Sequence, residues 1–574
     1  MTPTTIMVAI AFAFVSTCDS RSTFQEVVDT NATESDAEQF LLSELANLAK
    51  HNHASERIMK LKDLLRPLYN AVPKDGAGKV SHTVVIYTLQ RFFAKHRGWT
   101  IRGLEPNGSS QENVTSTSEM QGWIPQFLQT FLEHVLDSTS LNLAELAAIA
   151  ATLEDFIEKE EGQWLEKVYN LLQYSKDASL TKSEVFELLE IYLMIFNADG
   201  KLAVPNAKAL RAVAAQFAKR QSKLWNSFVA FMTQHLDATW APSLEAAPFD
   251  EVLRIVRDIG EHYSTVYDAD CSSMKDELLR IESMKPGRVR LTDFYKLTLY
   301  GGVWEFNEKV DYLRAFGALD ESDPKTPLVI IPNYMGGRLN CLTASNYYAL
   351  CCRNECDDLL ASLEDKIAAP VADHLQVLEI VQSLSSRTIT APRNLSATLV
   401  NRLARVAELN FGQIPLHGRL FAQWMHHAFP RECAYPHEAG TATPLTPDEW
   451  MKESGQDDSK ATQEEMLAHV RQDTCRFTPD GVACGRQRGL LSASQASASK
   501  HSEADLDLPW SEKEELLVVR APLTQTVEPA SKTYLKDGIV FVVLASMVSA
   551  LTWSFRPFLK ISLASTAKPD RCIV

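Results

Sequence analysis

From Ala37 to about Phe316 apolar residues recur at steps of three and four. The runs "FLLSELANLAKH", "ERIMKLKDLLRPLYNAV", "VVIYTLQRFFAKH", "AELAAIAATLEDFIEKEEGQWLEKVYNLLQY" and "AKALRAVAAQFAKRQSKLWNSFVAFMTQHL" each show this pattern. It puts one apolar stripe on a 3.6-residue helix, so these runs predict amphipathic helices. Clusters of Gly, Pro, Asn and Ser break them apart, notably "EPNGSSQENVTSTS" at 105–118. Strand-like runs are few, the clearest being "PLVIIPNY" at 327–334. The expected fold class is mostly α: a multi-helical ectodomain with degenerate helix-loop-helix units, few strands, and one C-terminal transmembrane helix.

The helix-loop-helix expectation rests on a faint repeat. "STSLNLAE" (138–145) and "DASLTKSE" (177–184) share a Leu followed four residues later by Glu, and Leu141 and Leu180 lie 39 residues apart. "GRVRLTDF" at 287–294 and "GKVSHTVV" at 78–85 echo it. This resembles the EF-hand and its apolar eighth loop position. A calcium loop needs oxygen ligands at positions 1, 3, 5 and 12. The window 173–184 offers Gln173, Ser175, Asp177 and Glu184; the window 134–145 starts on His134, and 282–293 has Met284 and Pro286 at ligand positions. The repeats therefore read as packing units, with calcium not expected as a cofactor.

The chain ends predict topology. Residues 6–15 form a ten-residue apolar run followed by Ser16, Thr17 and Cys18, the length of a signal-peptide core and too short for a span. "GIVFVVLASMVSALTWSF" at 538–555 has 18 residues and no charge, near the lower end of the ~17–25 that cross a bilayer. Arg556, Lys560, Lys568 and Arg571 follow it. The positive-inside rule puts that tail in the cytosol. The expectation is a single-pass type I membrane protein whose ectodomain is extracellular or in the endomembrane lumen. "RCIV" is not a prenylation box, since two residues follow Cys572.

The formal net charge of −16 excludes nucleic acid as a partner, because phosphate binding needs clustered cations. Removing Cys18 and Cys572 leaves eight lumenal cysteines: Cys271, Cys341, Cys351, Cys352, Cys356, Cys433, Cys475 and Cys484. An even number in an oxidising compartment predicts disulfides, without fixing the pairing. All eight lie after residue 270, so staples are expected only in the second half. Sequons mark Asn31, Asn107, Asn113 and Asn394 as glycosylation candidates. The expected organisation is a signal peptide at 1–18, a disordered lead at 19–36, a helical domain at 37–302 and a Cys/His-rich, mostly helical domain at 303–440. An acidic, partly ordered segment at 441–484, a flexible stalk at 485–533, the span at 538–555 and a cytosolic tail at 556–574 follow.

The common catalytic signatures are missing from the sequence. "GAGKV" at 76–80 lacks P-loop spacing, "HEAG" at 437–440 is not a zincin motif, and there is no G-x-S-x-G, kinase set or strand-linked G-x-G-x-x-G. Chemistry could reside in "NCLTASNYYALCCRNEC" (340–356) or "PLHGRLFAQWMHHAFPRECAYPHE" (415–438). Adjacent Cys351 and Cys352 most simply pair with different partners, pinning a short helix; a redox-active vicinal pair is the alternative. In the second stretch a helix over 416–429 should end at Pro430. Its phase puts His417, Leu420, Phe421, Trp424 and Ala428 on one face and His426 on the other. His417 and His427 are too far apart along the axis, about 15 Å, to share one metal. The remaining metal set is His427, Cys433 and His437, three ligands suited to zinc or copper. The alternative is a structural corner with Cys433 in a disulfide.

"LLRPLYNAVPKDGAGKV", "FFAKHRGWTIRGLEP", "YLRAFGALDESDP", "VIIPNYMGGRLNC", "CCRNEC" and "PLHGRLFAQWMHHAFPREC" resemble uncharacterised secretory or membrane-anchored proteins of unicellular algae and related protists, over most of residues 55–440. That resemblance implies no established activity and assigns no site residue. The leading expectation is a type I membrane glycoprotein with a disulfide-stabilised helical ectodomain. It acts by binding an unknown protein or glycan ligand, and no enzyme class is assigned. The alternatives are a lumenal metal-dependent enzyme or redox protein using His427, Cys433 and His437, and a calcium-responsive EF-hand-like module.

Overall fold

The computed structural model describes residues 52–104, 140–197, 206–342, 345–478, 481–484 and 510–517, Gln221 excepted. The signal peptide, the lead, the span, the cytosolic tail, and Asn31, Asn107 and Asn113 lie outside these residues. Among the described residues no helix is long and apolar enough to cross a membrane.

The helices are α1 (Asn52–Ala71), α2 (His82–Arg97), α3 (Leu143–Leu172), α4 (Lys182–Asn197), α5 (Ala207–Arg220), α6 (Ser222–Thr239), α7 (Phe249–Arg280) and α8 (Leu291–Leu299). They continue as α9 (Val310–Ala315), α10 (Ile331–Met335), α11 (Glu355–Ile367), α12 (His374–Ser383), α13 (Ala397–Leu409), α14 (Arg419–Ala428), α15 (Pro447–Ser454) and α16 (Gln463–Thr474). Strands are two to four residues long, and every pair is antiparallel. The protein is mostly α, as its periodicity predicts.

The loops between helices follow one rule. Val80 pairs with Leu141, Leu180 of β2 (Leu180–Thr181) with Ala247 of β3 (Ala246–Ala247), and Val289 of β4 (Arg288–Arg290) with Val329 of β6 (Leu328–Ile330). Ala372 of β9 (Val371–Ala372) pairs with Ile414 of β10 (Ile414–Pro415). In seven of these eight loops the next helix begins two residues after the paired residue: Val80 before His82, Leu141 before Leu143, and so on to Ala372 before His374. Only the loop of Ile414 runs longer, to Arg419. All eight paired residues are buried. Leu141, Leu180 and Val289 are the eighth residues of the windows 134–145, 173–184 and 282–293, and the eight loops join in four antiparallel pairs. The 78–85, 138–145, 177–184 and 287–294 echoes belong to this series. Ala247, Val329, Ala372 and Ile414 complete it without sharing the repeat's flanking residues.

Local sequence explains why the helices start there. Asn142 accepts from the Ala144 and Glu145 amides while Glu145 accepts from the Asn142 amide, a reciprocal cap on α3. Glu184 accepts from the Thr181 amide and hydroxyl, both at 2.8 Å. These are the twelfth-position carboxylates a calcium loop would direct at its ion; here they close their own helix ends.

Three apolar cores result. The first unites the first two loop pairs, from Leu61 to Tyr263, and takes in Tyr348 and Leu350. The second is built from the lower half of α7, α8 to α10, α15 and α16, and the third from α11 to α14. The cores divide within α7, near Cys271, rather than at the expected 302/303 boundary, because this 32-residue helix closes the fourth loop unit and opens the fifth. Residues 475 and 484 face each other in the hairpin of β11 (Cys475–Thr478) and β12 (Gly481–Cys484). Residues 510–517, within the expected stalk, lie along α14: the Arg419 amide donates to the Glu515 carbonyl, and the Leu517 amide to the His417 carbonyl.

In the fifth loop the first-position carboxylate is held by protein groups. Glu282 occupies its first position and accepts from the Gly287 amide at 2.6 Å. Arg431, from the turn after α14, lays its guanidinium on both Glu282 oxygens, at 2.7 to 3.1 Å. Gly287 has φ +73°, and a Cβ there would meet the Pro430 carbonyl. Gly287 therefore lets the 430–431 turn seat on the loop. Gly287→Ala should cost about 2 kcal/mol or more, from a left-handed backbone and an overpacked contact. Gly76→Ala, which faces open space, should change the urea midpoint little.

Candidate functional site

Helix α14 was expected to turn His426 to solvent, and this is corrected: Arg419, Gln423 and His426 are each fully buried. Helical phase identifies the apolar face but cannot see what covers the opposite one. That cover is residues 510–517 over Arg419 and Gln423, and Arg288 of β4 over His426. Arg419 donates to the Lys513 and Ser511 carbonyls at 2.7 and 2.9 Å, and to Gln423 Oε1 at 3.0 Å. His426 Nδ1–H donates to the Cys433 carbonyl at 2.7 Å, while Nε2 accepts from Arg288 at 3.2 Å. Arg288 also donates to Asp320 at 2.8 Å, both side chains being buried. Burial, and then the Arg288 charge, push the His426 pKa well below its ordinary value, so the ring is neutral. Burial opposes the Asp320 carboxylate, yet Ser322 and Arg288 outweigh it and hold its pKa below the usual range.

A second buried network lies at the start of this stretch. His417 faces inward, and its Nε2–H donates to Glu364 at 2.8 Å. Glu364 also pairs with Arg91 of α2. Burial works against the Glu364 charge, but Arg91 and His417 offset it, and its pKa falls below the usual value. Burial depresses the His417 pKa despite Glu364. Both networks join separate elements across buried ground, where losing one partner strands the other's charge.

The metal set His427, Cys433 and His437 is not assembled. Cys433 is bonded to Cys356, so it supplies no thiolate, the form that ligates metal. His437 Nε2–H donates to the Gly317 carbonyl at 2.7 Å, and Gly317 (φ +75°) leaves the room that ring needs. The His427 ring meets His426 edge-on and Trp510 at a tilt. The stretch is a structural corner, with Cys433 in a disulfide and His437 on a main-chain carbonyl.

The cysteines pair as Cys271–Cys352, Cys341–Cys351 and Cys356–Cys433. Adjacent Cys351 and Cys352 do take different partners. They pin the end of β8 (Tyr348–Cys351) to β7 (Cys341–Leu342) and to α7, rather than holding a helix. The two long bridges span 81 and 77 residues and the short one 10. Chain entropy alone assigns them about 4.5, 4.5 and 2.7 kcal/mol. Asn394 is exposed, as a glycan acceptor must be.

These bridges frame the most conspicuous cavity, a cleft of about 720 Å³. Cys271, Cys341, Cys351 and Cys352 line it, together with Glu355 and Glu432, the neighbours of the Cys356–Cys433 bridge. Its charged rim includes Lys275, paired with Glu355 at 2.8 Å, Arg353, paired with Asp358 at 2.7 Å, and Arg387, paired with Asp276 at 2.8 Å. Burial raises the Asp268 pKa at one edge, against the pull of the Arg353 amide and side chain. This cleft was not foreseen, because its walls come from α2, β1 (Trp99–Ile101), α7, α10, α11 and the 385–387 and 432–434 turns. The dense cysteines at 341–356 were the one local signal. No family model, curated protein or solved structure matches the chain.

The neutral His426 gives a pH prediction. Below about pH 6.5 the unfolded histidine takes up a proton that the buried ring refuses, so its contribution to stability falls as pH falls. His426→Gln keeps one donor and one acceptor without titrating. Between about pH 7.5 and pH 5 the variant's urea midpoint should drop less than the wild type's; an equal or larger drop would contradict a neutral, buried His426.

Proposed function

We propose that this chain is a membrane-anchored, disulfide-stapled helical ectodomain whose work is binding, carried out in the cleft between its three cores. The observation that carries this reading is that two disulfides, Cys271–Cys352 and Cys341–Cys351, line the cleft, while the third, Cys356–Cys433, is flanked by the lining residues Glu355 and Glu432. Bridges that lock one concave surface preserve its shape, which is what a binding site gains most from. Sites of this kind sit between packed units, lined by apolar surface with a few placed polar groups. The rim carries both signs of charge, which suits a polar partner, a protein segment or a glycan, over a nucleic acid. The apolar runs at 6–15 and 538–555, and the cations after the second, support the type I orientation.

Two measurements on the full chain in cells test this. With an epitope tag at the C-terminus and another after residue 36, protease added to sealed microsomes should spare the second tag and remove the first. Loss of the lumenal tag instead would reject the topology. A photo-crosslinking residue at Ser385, in the cleft, should yield an adduct that one at exposed Glu245 does not. Equal adducts, or none from Ser385, would reject the cleft as the binding surface.

A further inference from the structure

Before the first bridged cysteine, Cys271, lies a cluster of a different kind. His235 lies near the end of α6; Asp258 and His262 lie one turn apart on α7. His235 Nε2 is 2.6 Å from Asp258 Oδ2, and His262 Nδ1 is 3.9 Å from Asp258 Oδ1. The two imidazole centroids are 5.5 Å apart. One ligand atom from each residue falls within 4.8 Å of the others. Asp-x₃-His on one helix face, met by a histidine from a neighbouring helix, is a spacing that converges three ligands on a point.

We propose that His235, Asp258 and His262 bind a divalent transition metal of the zinc type and thereby clamp α6 to α7. The donor set decides the class of ion. Two imidazoles and one carboxylate suit zinc, whereas calcium and magnesium select all-oxygen shells. Donors about 2.0 to 2.2 Å from a tetrahedral zinc lie about 3.3 to 3.6 Å from one another, so the His235–Asp258 contact must open and the His262 nitrogen must draw in. His262 Nδ1 now donates to the Asp258 carbonyl at 2.8 Å, and His235 donates to the Asp258 carboxylate. On binding, each ring presents a lone pair by carrying its proton on its other nitrogen. Side-chain exposure of 54% at His262 and 33% at Asp258 leaves the fourth position to water and gives the ion a route in.

The clamp has a structural purpose. α6 and α7 flank the fourth loop, whose first position is Trp240 and whose Glu251 is paired with Arg254 at 2.6 Å. A metal between the helices would join the two arms of that unit, ahead of the Cys271–Cys352 bridge that holds the far end of α7. It is independent of the cleft.

The test uses the full chain, stripped with EDTA and titrated with zinc chloride, with magnesium chloride as the control. One equivalent of zinc should bind and raise the thermal midpoint, and magnesium should do neither. Cobalt(II) should give the visible absorption of a four-coordinate site. His262→Ala and His235→Ala should each weaken zinc binding by about tenfold or more. Both change partly exposed side chains, so their metal-free midpoints should stay close to the wild type's and report that they fold. Zinc binding unaltered in both variants, or no saturable binding in the wild type, overturns the proposal.

Discussion

The short antiparallel contact between neighbouring loops organises this protein. In each pair a buried apolar residue just before a helix faces its counterpart: Val80 and Leu141, Leu180 and Ala247, Val289 and Val329, Ala372 and Ile414. At Val80 and Leu141 the two amides exchange hydrogen bonds of 2.9 Å in both directions. A lone two-residue ladder is marginal in water. Buried beneath helix pairs, its main-chain groups have no water to turn to, so breaking it leaves them unsatisfied. That cost sets the register of the helices on either side.

An ion-binding loop satisfies its carboxylates with a cation, and these loops satisfy theirs with protein. Glu145 and Glu184 cap helices, and Glu282 takes a bidentate guanidinium from Arg431. The replacement ties each loop to its surroundings: Arg431 sits beside Cys433, whose bridge to Cys356 joins α14's exit to α11. Charge pairing, close approach at Gly287 and covalent stapling thus act on the same few residues. The Asp320, Arg288 and His426 network continues that junction into the interior.

Much of this was legible along the chain, and the limits have physical causes. Helices were visible because an apolar stripe leaves a period. Leu141, Leu180, Val289 and Val80 were visible as an echo because similar polar residues flank them. Ala247 and Ala372 were not, since alanine marks no special position, although the backbone uses them identically. Cys351 and Cys352 could be assigned to different partners because adjacent residues rarely bridge each other. His426 was placed outward because periodicity describes one helix in isolation. What buries it arrives from Arg288, far away in sequence, and from the 433–435 turn. The proposed metal ligands escaped for the same reason: His235 and Asp258 are on different helices, and only packing brings them together.

The central claim is that the loop pairs are held by their own apolar contacts and caps, without a calcium ion. Hydrogen exchange at the amides of Val80, Leu141, Leu180, Ala247, Val289, Val329, Ala372 and Ile414, in EGTA and in excess calcium, tests it directly. The account predicts slow exchange at these amides that calcium leaves unchanged. Fast exchange in EGTA that becomes slow with calcium would contradict it.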